Sequence, residues 1–580
     1  MTVVEGQHLN ATPGALTGVA IWPDANAAVV IAGRPALIVP TSELKAIEAA
    51  GVRWVWWSKD TAAELIQAGI RPKRCWDLAA AQRLLAGLSQ ADPGHVWAVA
   101  HGLDLESIPT LQPVDLFTHA VDTGDPDNPI GPDGHLRPEW AEGAWADSGD
   151  RTMRWAELAL VIQQRQERAL AAIETEPHPG APRAPGRPRE TAISESAAEL
   201  ICAELEHDGL PFDRMIGERI VAGFVGKRPL TADDERARLD ELDRDVLKHL
   251  PPGVDFDLRS PDQVKSLLRR VGIEVPDTRA WRLEGLRGTH SIIEPLLRWR
   301  RAERIRTTFG YPWIDEHVGP DGRLRGHWTG SDGAAGRMTA TAGLHNMPAE
   351  MRPAVAAASG HVLVRADLGQ IEPRVLAAVS GDPDLTRATY ADDMYLPVAD
   401  RLRVSREIAK VAVLGAMYGQ TTGKGAEALR GLEREYPGAM GYLQTADEAA
   451  QGGHDLRTYG GRRIRMSGEI DNGMSAGDVR SRAAARGRYG RNAVIQGAAA
   501  EFFKTWAALV RARGSALGAQ IVLCLHDELV VQVPTAVADE VAALLGDCLD
   551  ETAFRWSPPN SAPVRFVADT SIIERWSEAK

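Results

Sequence analysis

The stretch CLHDELVVQVP, Cys524 to Pro534, decides how this chain is read. Two apolar runs of strand character, IVLCL and ELVVQV, flank the ionisable trio His526, Asp527 and Glu528. A buried carboxylate without a partner is strongly unfavourable, so the trio is expected at a tight hairpin turn beside a cation. A second strand-like run, HVLVRAD (361–367), ends in Asp367, and strand alternation sets that aspartate on the same face as Leu363 and Arg365. If the two runs are neighbours in one sheet, Asp367 and Asp527 converge. Converging carboxylates repel unless a cation lies between them, and hard oxygen donors suit Mg²⁺. Two such ions about 3.5 to 4 Å apart activate an attacking oxygen and stabilise a leaving one in phosphoryl transfer. The competing reading makes Asp527 and Glu528 plain turn residues.

Between these runs lies SREIAKVAVLGAMYGQ (405–420), where Arg406, Lys410, Leu414 and Tyr418 recur every four residues. On a helix they form one slowly drifting stripe. Two cations, an apolar residue and an aromatic one describe a face that grips a triphosphate and stacks a base, or else an amphipathic helix with a basic edge. Arg488, Asn492 and Gln496 make a second four-residue ladder, able to read phosphates and minor-groove acceptors or simply solvated.

The net charge of −13 over 580 residues argues against a generic polyanion binder. Arginine is nonetheless clustered in 296–310, 459–466 and 479–492, as solvated helix faces or as phosphate tracks. The four cysteines show no C-x-x-C spacing, so neither a zinc site nor a disulfide framework is expected. No long apolar run and no signal-like N-terminus is present, which gives an expectation of a cytoplasmic protein without a membrane. EPHPGAPRAPGRPRE (176–190) reads as an extended linker. Before it, short apolar runs alternate with helical patterns, as in an α/β domain. After it, the pattern to about residue 310 is strongly helical.

Three blocks, RADLGQIEPRVLAAVSGD (365–382), REIAKVAVLGAMYGQ (406–420) and CLHDELVVQV (524–533), resemble motifs A, B and C of the family A DNA polymerases, the DNA polymerase I type, in the family's order. GAAGRMTATAGLHNMP (333–348) is similar to the family's segment along the primer-template minor groove. The resemblance covers roughly 196 to 580. It implies a multidomain α/β and α+β chain: a right-hand fold of palm, fingers and thumb, preceded by an RNase H-like, 3′–5′ exonuclease-like domain. The boundaries expected are 1–175 for that domain, 176–195 for the linker, 196–330 for thumb and connection, and 331–580 for a palm with fingers inserted at about 390–480.

The resemblance also implies roles. Asp367 and Asp527 would hold two Mg²⁺ ions, with Mn²⁺ as a substitute, with the Leu368 carbonyl completing a shell and Glu528 in support. Arg406 and Lys410 would bind the dNTP triphosphate, Lys410 also protonating the leaving pyrophosphate. Leu414, Tyr418 and Gln370 would line the dNTP site, with Tyr418 near the template base. Glu372 would exclude a ribose 2′-hydroxyl; Pro373 supports this by steering Glu372 out of helical geometry just before a rigid helix. Arg337, Asn346, Arg488, Asn492, Gln496 and His526 would hold primer-template DNA. The implied protein is a monomeric DNA polymerase of repair or replication. A gap-filling or lesion-tolerant specialist is the alternative, and a DNA-binding remnant without catalysis is the rival of another class.

The chain departs from the family pattern at several positions. Leu414 stands where Phe or Tyr is usual, Leu368 and Gly369 replace Tyr-Ser, Pro373 replaces an apolar residue and His345 a glutamine. In the N-terminal domain TGVAIWPDANAAVVI has no Asp-x-Glu pair, and Asp104 and Glu106 fall in the wrong order after Asp77. Trp145 and Gly149 occupy the tyrosine and aspartate positions of the last exonuclease motif. The expectation is a retained scaffold without proofreading.

Overall fold

The computed structural model describes residues 11–22, 25–111, 125–175, 186–250, 256–419, 426–466, 476–557 and 562–579. The chain forms two compact units. The first takes in 1–209, 327–340 and 359–573; the second takes in 210–326, 341–358 and 574–580.

In the first unit the strands Leu16–Trp22, Asn26–Ile31, Leu37–Pro40, Arg53–Trp56 and Cys75–Asp77 make one mixed sheet, ordered third, second, first, fourth, fifth. The first three pair antiparallel, and the fourth and fifth join in parallel. Both faces are covered, so the strands read as continuous apolar runs. Ala20, Ala28, Val30 and Val55 pack with Trp155 and Ala156 of the Gly149–Thr175 helix. Val19, Ala27, Val29, Trp54 and Trp56 pack on the other face with Leu65 and Ile66 of the Lys59–Gln67 helix and with Leu200 and Ala203. Gly18 permits the close crossing of the Gly149–Thr175 helix, because a Cβ there would run into the Ala156 carbonyl.

A second sheet carries Gln520–Cys524, Glu528–Pro534, His361–Leu368 and Ala568–Ile573, in that spatial order and antiparallel throughout. The two runs singled out in the sequence are therefore direct neighbours. Between the His361–Leu368 and Gln520–Cys524 strands the chain runs through a helical insertion that includes Tyr395–Leu402, Arg406–Tyr418, Ala426–Glu435 and Pro437–Gln451, then the 39-residue helix Ala476–Gly514.

The expected linker 176–195 is too long. Residues 176–185 lie outside the described residues, and a helix begins at Pro188 and runs to Asp208. Proline suits that first turn, where its missing N–H is no loss. The helix is held by partners distant in sequence: Lys504 Nζ donates to both Glu195 oxygens at 2.8 Å, Arg462 Nη2 lies 2.6 Å from Glu195 Oε2, and Arg511 pairs with Glu204 at 2.7 Å. The two compact units divide the chain elsewhere than at 196 and 331, with 196–209 and 327–330 in the first unit and 341–358 and 574–580 in the second.

The second unit is mainly helical, with Arg214–Val225, Ala232–Leu247, Pro261–Arg270, Ala280–Glu284, Ile293–Phe309 and Tyr311–His317. Its core gathers Val246, Leu267, Leu268, Leu283, Ile293 and Leu296. The arginine cluster 296–310 lies on Ile293–Phe309, where Arg298, Arg301 and Arg304 are exposed. Part of that charge is already answered: Arg301 pairs with Glu284 at 2.9 Å and Arg298 with Asp245 at 3.6 Å. Among the described residues no helix is long and apolar enough to cross a membrane.

Candidate active site

The second sheet brings the predicted carboxylates together. Asp367 ends its strand opposite Glu528, and the backbone N–H of Leu368 donates to the Asp527 carbonyl at 2.8 Å, seating the hairpin turn against the end of the His361–Leu368 strand. Burial and the neighbouring Asp527 charge push the Asp367 carboxyl up to about 6. Burial also raises the Asp527 carboxyl. Two carboxylates that resist ionising side by side form a hard oxygen donor set, which fits a divalent cation. Among the described residues no cluster of three or more His, Cys, Asp or Glu side chains is built to hold a metal. Backbone or substrate oxygens would have to complete a shell around this pair.

The stripe on Arg406–Tyr418 forms as expected. Ser405 caps the helix through Ile408 N, while Ala409, Ala412, Val413, Ala416 and Met417 bury its inner face. Lys410 and Tyr418 are exposed, and Arg406 and Leu414 partly so. Arg406 is engaged within the protein, its Nε bonded to Asp393. Gln370 lies in the left-handed region at φ 56°, a strained position for a side chain of its size. It donates to Asp393 Oδ1 at 2.8 Å and accepts from Met394 N at 2.9 Å. Asp393 thus ties motif A to the Arg406 helix, a role invisible in ADDMYLP, where nothing but a loop is legible. Arg374, fully buried, gives five hydrogen bonds to the carbonyls of Gly369, Thr389, Ala391, Asp392 and Arg565, and so fixes that loop.

Glu372 is clamped at both oxygens, accepting from Arg337 Nη2 at 3.1 Å and from the Tyr418 hydroxyl at 3.2 Å. Burial raises its carboxyl above the usual range. Gln496 bonds the same tyrosine. Arg488 packs where a Cβ on Gly419 would stand. Asn492 lies midway on that helix, partly exposed. Arg337 and the Asp527 charge both act on His526, whose imidazole is held below its ordinary pKa chiefly by burial. Asn346 and His345 belong to the other unit, where Arg304 donates to the Asn346 carbonyl at 3.1 Å. The 333–348 block, continuous in sequence, is thus shared between the units.

In the N-terminal sheet Asp77 is fully buried. Its oxygens accept from Ala80 N at 2.8 Å and Trp56 Nε1 at 2.9 Å, capping the Leu78–Ala86 helix. Burial and the Glu199 charge push its carboxyl up to about 7. Asp104 and Glu106 are exposed, and Asp104 accepts from Ser107 Oγ at 2.6 Å. Trp145 stacks on Trp155 with centroids 5.8 Å apart, and Trp57 stacks on Trp155 at 4.1 Å.

The sequence profile of DNA polymerase family A matches residues 231–578. DNA polymerase I of Deinococcus radiodurans is 30% identical over 348 residues, which are 53% of this chain and 35% of that protein. A thermostable DNA polymerase I of Thermus thermophilus is 27% identical over 531 residues, 84% of this chain and 57% of that protein. The chain spans only part, 35% to 46%, of the length of the first several curated relatives it matches. Among solved structures, the POL domain of Pol1 from M. smegmatis, in complex with DNA primer-template and dNTP, is similar at a TM-score of 0.65 and 20% identity, over 98% of this chain and 96% of that one.

Proposed function

The chain belongs to DNA polymerase family A, and from that premise we propose that it is a template-directed DNA polymerase adding dNTPs to a primer 3′-hydroxyl, in repair or replication, without proofreading. The observation that carries this is the approach of the Asp527 turn to the end of the Asp367 strand, where Leu368 N donates to the Asp527 carbonyl at 2.8 Å and the Asp527 charge helps raise the Asp367 carboxyl.

Family A polymerases use divalent metal ions. Asp367, Asp527 and the Leu368 carbonyl would hold two Mg²⁺. When bound, such ions activate the attacking hydroxyl and neutralise charge on the leaving phosphate. The remaining work falls to this chain's side chains. Arg406 would exchange Asp393 for the triphosphate, a charge-assisted swap that leaves Gln370 and the Arg374-held loop to keep Asp393 in place. Lys410, one turn on and exposed, would neutralise the same phosphates and give its proton to the departing pyrophosphate. Tyr418 would stack near the template base, Leu414 would touch the sugar, and the clamped Glu372 would refuse a 2′-hydroxyl. Arg337, Asn346, Arg488, Asn492, Gln496 and His526 would hold the primer-template, through phosphates and minor-groove acceptors.

The palm corresponds on this reading to the second sheet, the fingers to the helical insertion and the thumb to the helices of the second unit. The five-stranded sheet, ordered third, second, first, fourth, fifth, supports an RNase H-like scaffold whose exonuclease site has been lost. The buried, capping Asp77 supports the absence of proofreading.

Four primer-templates differing in one templating base, each offered every dNTP singly with Mg²⁺, test the proposal. Insertion of the complementary nucleotide alone is expected. Insertion independent of the template base, or none with any metal, would sink it, the latter favouring the DNA-binding remnant.

A further inference from the structure

The row of carboxylates at the end of the second sheet has a cation built into it. Antiparallel register sets Glu528 and Asp569 directly opposite Asp367 on its two flanking strands, and like charges so placed repel. Asp527 adds a fourth negative charge from the turn. Arg365, two residues before Asp367 and on the same face, answers all three strand neighbours, with Nη2 shared between Asp367 and, at 3.5 Å, Glu528 Oε2. Its Nη2 lies 2.5 Å from Asp367 Oδ2, its Nε 3.3 Å from Glu528 Oε1 and its Nη1 3.5 Å from Asp569 Oδ2. The side chains of Arg365 and Glu528 are each 8% exposed, whereas Asp367 is 34% exposed and Asp569 73%. The other nearby guanidinium, Arg337, is engaged with Glu372.

We propose that Arg365 is a positioning residue that sets how this site takes up divalent cations. It fixes one oxygen of Asp367, so that the other is offered singly, and it keeps Glu528 as its own buried counter-ion, outside the metal's shell. The inference rests on the reading of Asp367 and Asp527 as the metal-holding pair. A singly offered carboxylate oxygen suits Mg²⁺, which demands compact octahedral geometry, while a carboxylate free to turn offers both oxygens and favours the larger Ca²⁺. The guanidinium charge also weakens the pull of the cluster on any divalent cation. Glu528 is then a structural partner of Arg365, which departs from the role the sequence resemblance implies for it.

The test is Mn²⁺ binding to the full chain without DNA or nucleotide, read by electron paramagnetic resonance, with Ca²⁺ as competitor and thermal melting as a check on folding. Arg365→Gln is expected to bind Mn²⁺ at least roughly tenfold more tightly, the scale of one nearby charge in partly exposed surroundings, and to let Ca²⁺ compete better. Arg365→Lys keeps the charge but loses the planar fork, so Mn²⁺ affinity should stay within about threefold of wild type while the discrimination against Ca²⁺ falls. Glu528→Gln carries the test if Arg365→Gln does not fold: with the guanidinium turned wholly to Asp367, Mn²⁺ should bind several-fold more weakly. Equal or weaker binding in folded Arg365→Gln, or unchanged binding in Glu528→Gln, overturns the proposal. Asp527→Ala separates the two levels. If it binds Mn²⁺ as wild type does, the metal-holding pair itself is misread; if it loses binding while Arg365→Gln gains none, only the role of Arg365 falls.

Discussion

Glu372 offers the sharpest quantitative handle on substrate choice. Its carboxylate is held at both oxygens by Arg337 and Tyr418, at 3.1 and 3.2 Å, and its side chain is only 16% exposed. A group pinned in this way cannot swing aside for a ribose 2′-hydroxyl. Hydrogen bonds to charged groups contribute about 1.5 to 3 kcal/mol, and Tyr418→Phe removes one of the two restraints without creating space. Half of that energy lost as restraint is about 1 kcal/mol, or roughly fivefold in discrimination. Glu372→Ala removes the wall itself, and discrimination between dCTP and rCTP should fall by about 10²- to 10³-fold, the equivalent of some 3 to 4 kcal/mol. Single-nucleotide insertion opposite dG, compared as kcat/KM for the two substrates, reads both numbers. The dCTP value should change much less than the rCTP value in each variant. Discrimination within threefold of wild type in Glu372→Ala, or a larger loss in Tyr418→Phe than in Glu372→Ala, would refute the clamp.

Other outcomes follow from the same side chains. Lys504 and Glu195 are each 1% exposed and share two 2.8 Å contacts, so Lys504→Met should destabilise the chain by about 3 to 5 kcal/mol in urea unfolding, and Glu195→Gln/Lys504→Met should recover little of the loss, because it takes from the buried Arg462 its 2.6 Å partner Glu195. In the same network burial pushes the Glu501 carboxyl up to about 7. A carboxyl raised in the folded state favours folding at low pH and less so as pH rises through that value. Melting temperature should therefore decline from about pH 4.5 to about pH 7 and level off above that, and Glu501→Gln should flatten the decline. No shortening of a mismatched primer is expected without dNTPs, from wild type or from Asp77→Asn, although the latter should melt earlier, because its amide oxygen can keep the cap on Ala80 N while its amide nitrogen cannot accept from the buried Trp56 Nε1. Leu414 lacks both ring and hydroxyl, so dideoxynucleotides should terminate wild-type synthesis poorly, and Leu414→Tyr should make termination stronger in a primer-extension ladder.

The pairing of the two motif strands was legible because a polar island inside an apolar run is physically expensive, and because period-two alternation aims Asp367 at one face. The four-residue stripe on Arg406–Tyr418 was legible for the matching helical reason. What sequence periodicity cannot carry is register between strands. The opposition of Glu528 and Asp569 to Asp367, and with it the position of Arg365, appears only when three strands are aligned. Asp393 is similar, since its partners Gln370 and Arg406 approach it from two helix starts. The start of the Pro188–Asp208 helix falls in the expected linker because its first residues, Pro188 to Glu190, continue a Pro-, Gly- and Arg-rich run, while the contact that anchors Glu195 comes from Lys504, 309 residues later. The absence of an Asp-x-Glu pair from TGVAIWPDANAAVVI is plain in the sequence, whereas the burial of Asp77 against Trp56 and Ala80 appears only in the fold.

Whether the chain synthesises DNA at Asp367 and Asp527 is read by Mg²⁺-dependent extension of a labelled primer on a template with all four dNTPs, wild type against Asp527→Ala, with binding of the same primer-template measured in parallel. Extension is expected from wild type, none from Asp527→Ala, and similar DNA affinity from both. Extension by Asp527→Ala at the wild-type rate, or DNA binding without extension by either protein, would contradict this expectation.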